Sequence, residues 1–303
     1  MALKVPSLSI RYAVFTTWIL WDNLLHPTDH PLFRRTLRLP AESPNLPSSS
    51  IAWMIPLLGA FACCSLWVLL IPLKSPLMVI VPITLIAASS SYVTIWVMRI
   101  AVTIARQKEN RTYDQLCLPP GGALTATWAL CAAALHRNDA LGWIDTVRKV
   151  MTALLMFALL SILITTALRQ NAPPLTEFLL LLLEMFIIAA LSYVDHIHTL
   201  VLGSLAGMLA STQTSSTVDA RIWGALIFLS LQTLTCLVTL FTPAILLPAF
   251  ERIEAALNWN FAINPLIASL LAFYLTREAL IALLWQALTR QLNANPLEFR
   301  FWD

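Results

Sequence analysis

Three charged residues stand inside otherwise apolar stretches, and they are the residues best placed to do chemistry. Glu184 lies within the leucine-rich run 175–194, and Arg277 and Glu278 are adjacent within 262–288. Ionised groups in apolar surroundings are costly, so they usually face a partner, a bundle interior or a substrate pathway. We therefore expect Glu184 either to be paired or protonated or to serve a pathway. A Glu184–Arg277 pair between helices is one arrangement that these charges allow.

A second set of polar residues follows one face of a later apolar run. Gln232, Thr235 and Thr239 are spaced by three and four residues, as the face of an α-helix requires. Such a stripe could line a substrate path. Hydrogen bonds to neighbouring helices or to the residues' own backbone are the favoured interpretation.

Other chemistry is not indicated. The chain has no G-x-S-x-G, no H-E-x-x-H and no Cys/His cluster. Pro27 and Pro31 argue against one helix that presents both His26 and His30, and His196 and His198 are two residues apart, which is not the spacing of a helix face. It has no G-x-x-x-x-G-K-[ST], so a P-loop would have to lie on another chain. We expect no enzymatic activity, no metal or cofactor and no nucleic-acid binding, since the net charge of +3 suits a membrane surface.

One polar stretch stands out between two apolar runs. The segment "ARQKENRTYDQLCLPPGG" (105–122) interleaves five charges with Tyr113, Leu116 and Leu118, and it ends in Pro-Pro-Gly-Gly. This pattern predicts a short amphipathic helix that is stopped by the prolines and turned by the glycines.

The elements that must position these residues are predicted to be membrane helices. The chain is 58% apolar and 12% charged, and several charge-free runs reach the roughly 18 residues that a spanning helix needs. We predict an all-α polytopic membrane protein with six spans at about 51–73, 76–104, 149–168, 175–195, 221–248 and 262–288. Residues 1–50 form an N-terminal cytoplasmic and interfacial segment. Residues 51–303 form the membrane domain, with a cytoplasmic insertion at 105–148.

Basic residues set the expected orientation. Most of them fall before the first span, in the 105–148 loop and near the C-terminus. The positive-inside rule then places these segments and both termini on the cytoplasmic side of the cell membrane.

Three motifs, in order along the chain, resemble those of ABC exporter permeases of the second type, the drug- and polysaccharide-efflux class. "HPLFRRTLR" (30–38) is similar to the interfacial elbow helix. "IARQKENRTYDQLCLPPGG" (104–122) resembles the coupling helix, and "LGSLAGMLASTQTSSTVDARIWGAL" (202–226) resembles the small-residue segment before span five. The resemblance assigns coupling to Arg106, Lys108, Glu109, Arg111, Thr112, Tyr113, Asp114 and Leu116, and the elbow to Arg34, Arg35 and Arg38.

The resemblance implies a permease subunit that works with a second permease subunit, as a homo- or heterodimer, and with a separate ATP-binding subunit. Gln107 departs from the family pattern, which has an acid there. A non-transporting structural subunit of a larger membrane assembly, with a permease-like fold but no motor, is therefore the alternative hypothesis.

Overall fold

The computed structural model describes residues 16–25, 33–34, 77–118, 122–137, 175–257 and 265–294, with positions 146, 149, 153 and 157. Side chains are described for only part of this set; those of 77–89, 91, 175–192, 265–270 and most of 239–257 are not included. The described residues form helices and no strands, as the sequence predicts. The helices are α1 (Thr16–Leu25), α2 (Leu77–Glu109), α3 (Tyr113–Leu116), α4 (Gly122–His136), α5 (Leu175–Gln213), α6 (Thr217–Leu257) and α7 (Pro265–Gln291).

Among the residues whose side chains are described, two stretches are long and apolar enough to cross a membrane, Thr217–Val238 in α6 and Leu271–Gln291 in α7. The most apolar 18-residue window is 22% buried in the α6 stretch and 39% buried in the α7 stretch, so most of each window is open to the surroundings. These two helices indicate membrane association. The predicted span 51–73 and most of 149–168 lie outside the described residues.

Turn and capping residues explain where the helices end. Ser216 caps α6, because its Oγ accepts a hydrogen bond from the Val218 amide at 3.2 Å. Pro265 opens α7 at the position where its fixed φ angle suits a helix and its missing N–H costs nothing. The α2 helix continues to Glu109, five residues beyond the predicted end of span two.

The chain divides into two compact units, one of residues 1–39, 93–137 and 197–303 and the other of 40–92 and 138–196. In the first unit, α2, α5 and α6 approach closely because small residues face each other at their crossings. A Cβ atom added at Gly203 would lie 2.7 Å from Val93 Cγ1, and one at Gly207 would lie 3.0 Å from the Val97 carbonyl oxygen. Small residues at such positions let helix backbones meet.

The predicted insertion 105–148 is more apolar than a solvated loop. Its helix α4 is buried along most of its length, and Trp128 is completely enclosed. The Trp128 ring packs edge-on against Trp285 of α7, with centroids 5.9 Å apart. The insertion therefore contributes a core helix to the first unit.

Candidate functional site

The charged segment 106–118, named the coupling segment here, is divided between the end of α2 and the four-residue α3. The prediction of a single amphipathic helix at 105–118 is wrong, because Arg106, Lys108 and Glu109 lie in the last turn of α2 and only Tyr113–Leu116 form a separate short helix. The chain leaves the helix where the Thr112 amide donates to the Gln107 carbonyl (3.1 Å) and the Arg111 amide to the Lys108 carbonyl (3.0 Å). This is the Schellman pattern of hydrogen bonds.

Arg111 occupies the left-handed position of that turn, with φ 56°. Glycine is the usual residue there, since a Cβ atom makes this conformation costly. The corresponding turn after α7 uses Asn293, which tolerates it better, with φ 49°. The end of α2 therefore retains an arginine at a position where backbone energetics favour a different residue.

Lys108 and Glu109 tie the end of α2 to the turn between α5 and α6. Lys108 Nζ donates to the Ser211 carbonyl at 2.7 Å, and Glu109 Oε1 accepts from the Thr217 amide at 2.7 Å. The cation thus meets the carbonyl end of α5 and the anion meets the amide end of α6, as the helix dipoles favour. Partial burial lowers the pKa of Lys108. We name this pair of contacts the clasp.

The short helix α3 packs on α4 through its apolar side. Tyr113 and Leu116 are buried, and the Tyr113 hydroxyl lies 2.8 Å from Thr127 Oγ1. Burial raises the pKa of Tyr113 to about 12, so the phenol keeps its proton at neutral pH. The opposite side of the coupling segment is open, with Arg111, Thr112, Asp114, Gln115 and Leu118 exposed.

The predicted elbow is described only in part. Arg34 is exposed, whereas Phe33 is buried and packs edge-on against the His136 ring at 5.5 Å. His136 Nε2 in turn donates to the Leu24 carbonyl at 2.8 Å. Arg35 and Arg38 lie outside the described residues.

A second site is a buried polar cluster on α5, α6 and α7, defined by His198, Thr199, Gln232, Arg277 and Glu278. Arg277 is completely buried, and its guanidinium donates to Thr199 Oγ1 and, at 2.8 Å, to Gln232 Oε1. The guanidinium also lies 4.5 Å from the centre of the Phe273 ring. Charge-assisted hydrogen bonds and the ring face both offset the cost of burying this cation.

The same cluster contains an acid–imidazole pair. His198 Nε2 lies 3.1 Å from Glu278 Oε1, and both side chains are almost fully buried. The Tyr274 ring packs edge-on against the His198 ring, with centroids 5.1 Å apart. Glu278 Oε2 and Gln232 Nε2 are buried and make no hydrogen bond with the part of the protein described.

The sequence indicates Gln232, Arg277 and Glu278 as polar residues of apolar helices but does not identify their partners. The partners His198 and Thr199 also lie in an apolar helix, and this position was a signal, because polar residues buried in such helices are usually paired. Thr235 is buried and donates to the Leu231 carbonyl of its own helix at 2.9 Å. The side chains of Glu184 and Thr239 are outside the described set.

No protein-family model, curated protein or solved structure matches this chain. In the described residues, no group of three or more His, Cys, Asp or Glu side chains converges as a metal site would require.

Proposed function

We propose that this chain is the transmembrane permease subunit of an ATP-driven exporter of the second ABC type. A separate ATP-binding subunit would supply the energy, a second permease subunit would complete the pathway, and this chain would hydrolyse no nucleotide itself. Two membrane-length helices support a membrane location. The transport role is supported by three short motifs in family order and by the geometry of the coupling segment.

The observation that carries the proposal is the clasp together with the α3–α4 contact. Lys108 and Glu109 join the coupling segment to the ends of α5 and α6, and Tyr113 joins it to α4. A push on the exposed side of the segment would therefore move the ends of two long helices at once. Packed elements of this kind transmit displacement because their contacts do not deform gradually.

The backbone at Arg111 gives further support. A non-glycine residue in the left-handed region costs roughly 1–2 kcal/mol, and such strain is commonly retained where the side chain has a role. Arg111 and Asp114 present opposite charges on the exposed side of the segment. We infer that these two side chains contact the ATP-binding subunit.

The proposed topology has six spans in the cell membrane, with both termini, the elbow and the coupling segment on the cytoplasmic side. It follows from the apolar runs and from the distribution of basic residues. In this topology the exposed apolar side chains of α6 face lipid; they include Ile222, Leu226, Leu229, Leu237 and Phe241.

Co-purification from native membranes tests the proposal. The tagged wild-type chain should carry an ATP-binding subunit through detergent extraction, and Arg111→Glu with Asp114→Lys should remove it. Arg290→Glu, which reverses an exposed charge at the end of α7, is the matched control and should leave the complex intact. Equal recovery of the ATP-binding subunit with all three proteins would disprove the docking role of this segment.

The alternative is a structural subunit without a motor, and Gln107 favours it. The Gln107 side chain is a neutral amide that lies within hydrogen-bond distance of the Thr112 hydroxyl, inside the coupling segment itself. In the alternative, native membranes would yield a stable complex that contains no nucleotide-binding chain. Identifying the co-purified proteins therefore distinguishes the two functions.

A further inference from the structure

Arg99 is a partly exposed cation of α2 that the described protein groups satisfy only in part. Its guanidinium lies 4.6 Å from the centre of the Trp96 ring, one helical turn earlier. Its Nε atom is buried and makes no hydrogen bond with the part of the chain described, and none of the described carboxylates interacts with the guanidinium. The ring face offsets only part of the cost of withdrawing a cation from water.

The rest of α2 does not supply the missing anion. Residues 77–108 contain no Asp or Glu. The acid at the end of the helix, Glu109, accepts a hydrogen bond from the Thr217 amide at 2.7 Å. Thr103, one turn after Arg99, donates its hydroxyl to the Arg99 carbonyl at 2.8 Å. Among the described residues, the Arg99 guanidinium therefore has no anionic partner.

Arg99 lies on the side of α2 that faces away from α5 and α6. Val97 is buried against Gly203 of α5 and Gly224 of α6. Arg99 comes two residues later, which is a rotation of about 200° around an α-helix. The cation is therefore directed away from these packed helices, and it is partly exposed there.

The position of Arg99 along the chain corresponds to the depth of lipid headgroups. Residues 77–98 of α2 carry no charge. At 1.5 Å per residue, this run spans about 33 Å, close to the roughly 30 Å of a bilayer's hydrocarbon layer. Arg99 is the first charge after the run, and Trp96 precedes it by one turn. Tryptophan and basic residues are typical of the level where a helix leaves the hydrocarbon layer.

We propose that Trp96 and Arg99 form a binding site for the phosphate of an anionic phospholipid at the cytoplasmic surface of the membrane. A guanidinium presents several N–H donors in a planar fork that matches phosphate oxygens, and the Trp96 ring supports its plane from one side. The headgroup supplies the anion that the described protein groups lack. The site rests on the membrane location of the proposed function and not on export.

Native mass spectrometry of the purified full chain in detergent measures this binding. Phosphatidylglycerol is added in steps, and phosphatidylcholine with the same acyl chains is the comparison. The wild type should bind phosphatidylglycerol more tightly. Arg99→Gln should weaken that binding about tenfold, as the loss of one charge-assisted hydrogen bond does. Arg290→Gln is the matched control, because it removes an exposed arginine near the end of α7 with the same change in net charge and should leave binding unchanged.

Arg99→Lys retains the cation and should retain most of the preference for phosphatidylglycerol, so it separates loss of charge from loss of fold. Equal binding by the wild type and Arg99→Gln, or an equal loss in Arg290→Gln, would overturn the proposal. Displacement of the lipid by an equal concentration of inorganic phosphate would overturn it too, because the site would then bind a soluble anion. The assay contains no ATP-binding subunit, so its outcome is separate from the test of export. Extraction of the wild-type chain from cells without detergent would disprove the membrane location itself.

Discussion

Arg111 adopts a backbone conformation that is unfavourable for an arginine. Its φ of 56° places an arginine where the end of a helix favours glycine. Its side chain is exposed, and the turn that holds it is fixed by two backbone hydrogen bonds to α2. The residue thus points a charge away from the protein at some cost to the backbone.

Arg111→Gly should therefore stabilise the folded chain by about 1 kcal/mol, because glycine adopts this conformation without the Cβ penalty. The same change should weaken recovery of the ATP-binding subunit. Thermal unfolding in detergent and co-purification measure the two effects. Asn293→Gly is the control, and it should affect stability slightly and recovery not at all. A variant that is both stabilised and fully coupled would exclude a docking role for Arg111.

Tyr113 gives a pH-dependent prediction for the α3–α4 contact. Its pKa rises from 10.0 to about 12 on folding because burial disfavours the charged phenolate. A raised folded value means that the contribution to stability is complete below pH 10.0 and is lost as the pH rises toward 12. The protection factors of residues 113–118, which are corrected for the base-catalysed rise of the intrinsic exchange rate, should therefore fall in that window in the wild type.

Tyr113→Phe removes the titrating group and should abolish this alkaline change in exchange. Its cost at neutral pH should be about 0.5–1.5 kcal/mol, the usual value of one hydrogen bond. Tyr193→Phe, which changes an exposed tyrosine, is the control. The same fall in protection factors in Tyr113→Phe would show that another group controls the contact.

Residue chemistry was only partly predictable from the sequence. Arg277 and Glu278 were recognised because charges in an apolar run are conspicuous. Their partners were not, because pairing depends on how three helices are rotated and shifted along one another. Gln232 and Thr199 accept hydrogen bonds from Arg277 only because the three helices have this relative register. The spacing of residues within one helix does not predict the register between helices. A Glu184–Arg277 pair stays a prediction.

Among the helices, α2 and α5 cross closely because α5 has glycines, which lack a side chain, at the crossing. Gly203 and Gly207 are spaced by four residues and lie on one face of α5, against Val93, Val97 and Ile100. A Cβ atom at Gly207 would lie 3.0 Å from the Val97 carbonyl oxygen, a backbone atom that cannot rotate aside, so the two helices would have to shift slightly to admit it. Close backbone approach holds the two helices together through dispersion contacts.

Gly207→Ala should destabilise the chain by about 1–3 kcal/mol, as overpacking usually does. Thermal unfolding in detergent measures the loss. Gly224→Ala is the matched control with a smaller expected effect, since its nearest neighbours are side-chain atoms at 3.3 Å or more. Equal stability of Gly207→Ala and the wild type would mean that the crossing opens without cost.

Helix locations were easier to predict than helix limits. The apolar runs located α2, α5, α6 and α7, because an uninterrupted apolar run of this length suits little else. The ends of these helices depend on local capping. Ser216 and Glu109 accept hydrogen bonds from the first amides of α6, and Arg111 forms the turn that ends α2. The helices therefore extend beyond their apolar runs. The buried α4 was missed because its alanine-rich sequence lies in a region classified as a cytoplasmic loop.

At the scale of the whole molecule, two apolar helices indicate a membrane protein, and the six-span topology remains a prediction. The first compact unit contains the coupling segment, the clasp and the buried polar cluster. Buried polar groups in a membrane-length helix and a charged segment at the ends of long helices are compatible with the proposed transport function. The proposed function therefore requires that an ATP-binding subunit contacts the coupling segment in the cell.

Site-specific photo-crosslinking in native membranes measures that contact most directly. A photoreactive residue at Leu118 or Gln115, both exposed on the coupling segment, should crosslink to a chain that bears a P-loop. The same residue at exposed Arg290, near the end of α7, should not. Mass spectrometry of the crosslinked partner identifies it. Crosslinks from Leu118 and Gln115 only to lipid, or only to chains without a nucleotide-binding motif, would contradict the proposed function.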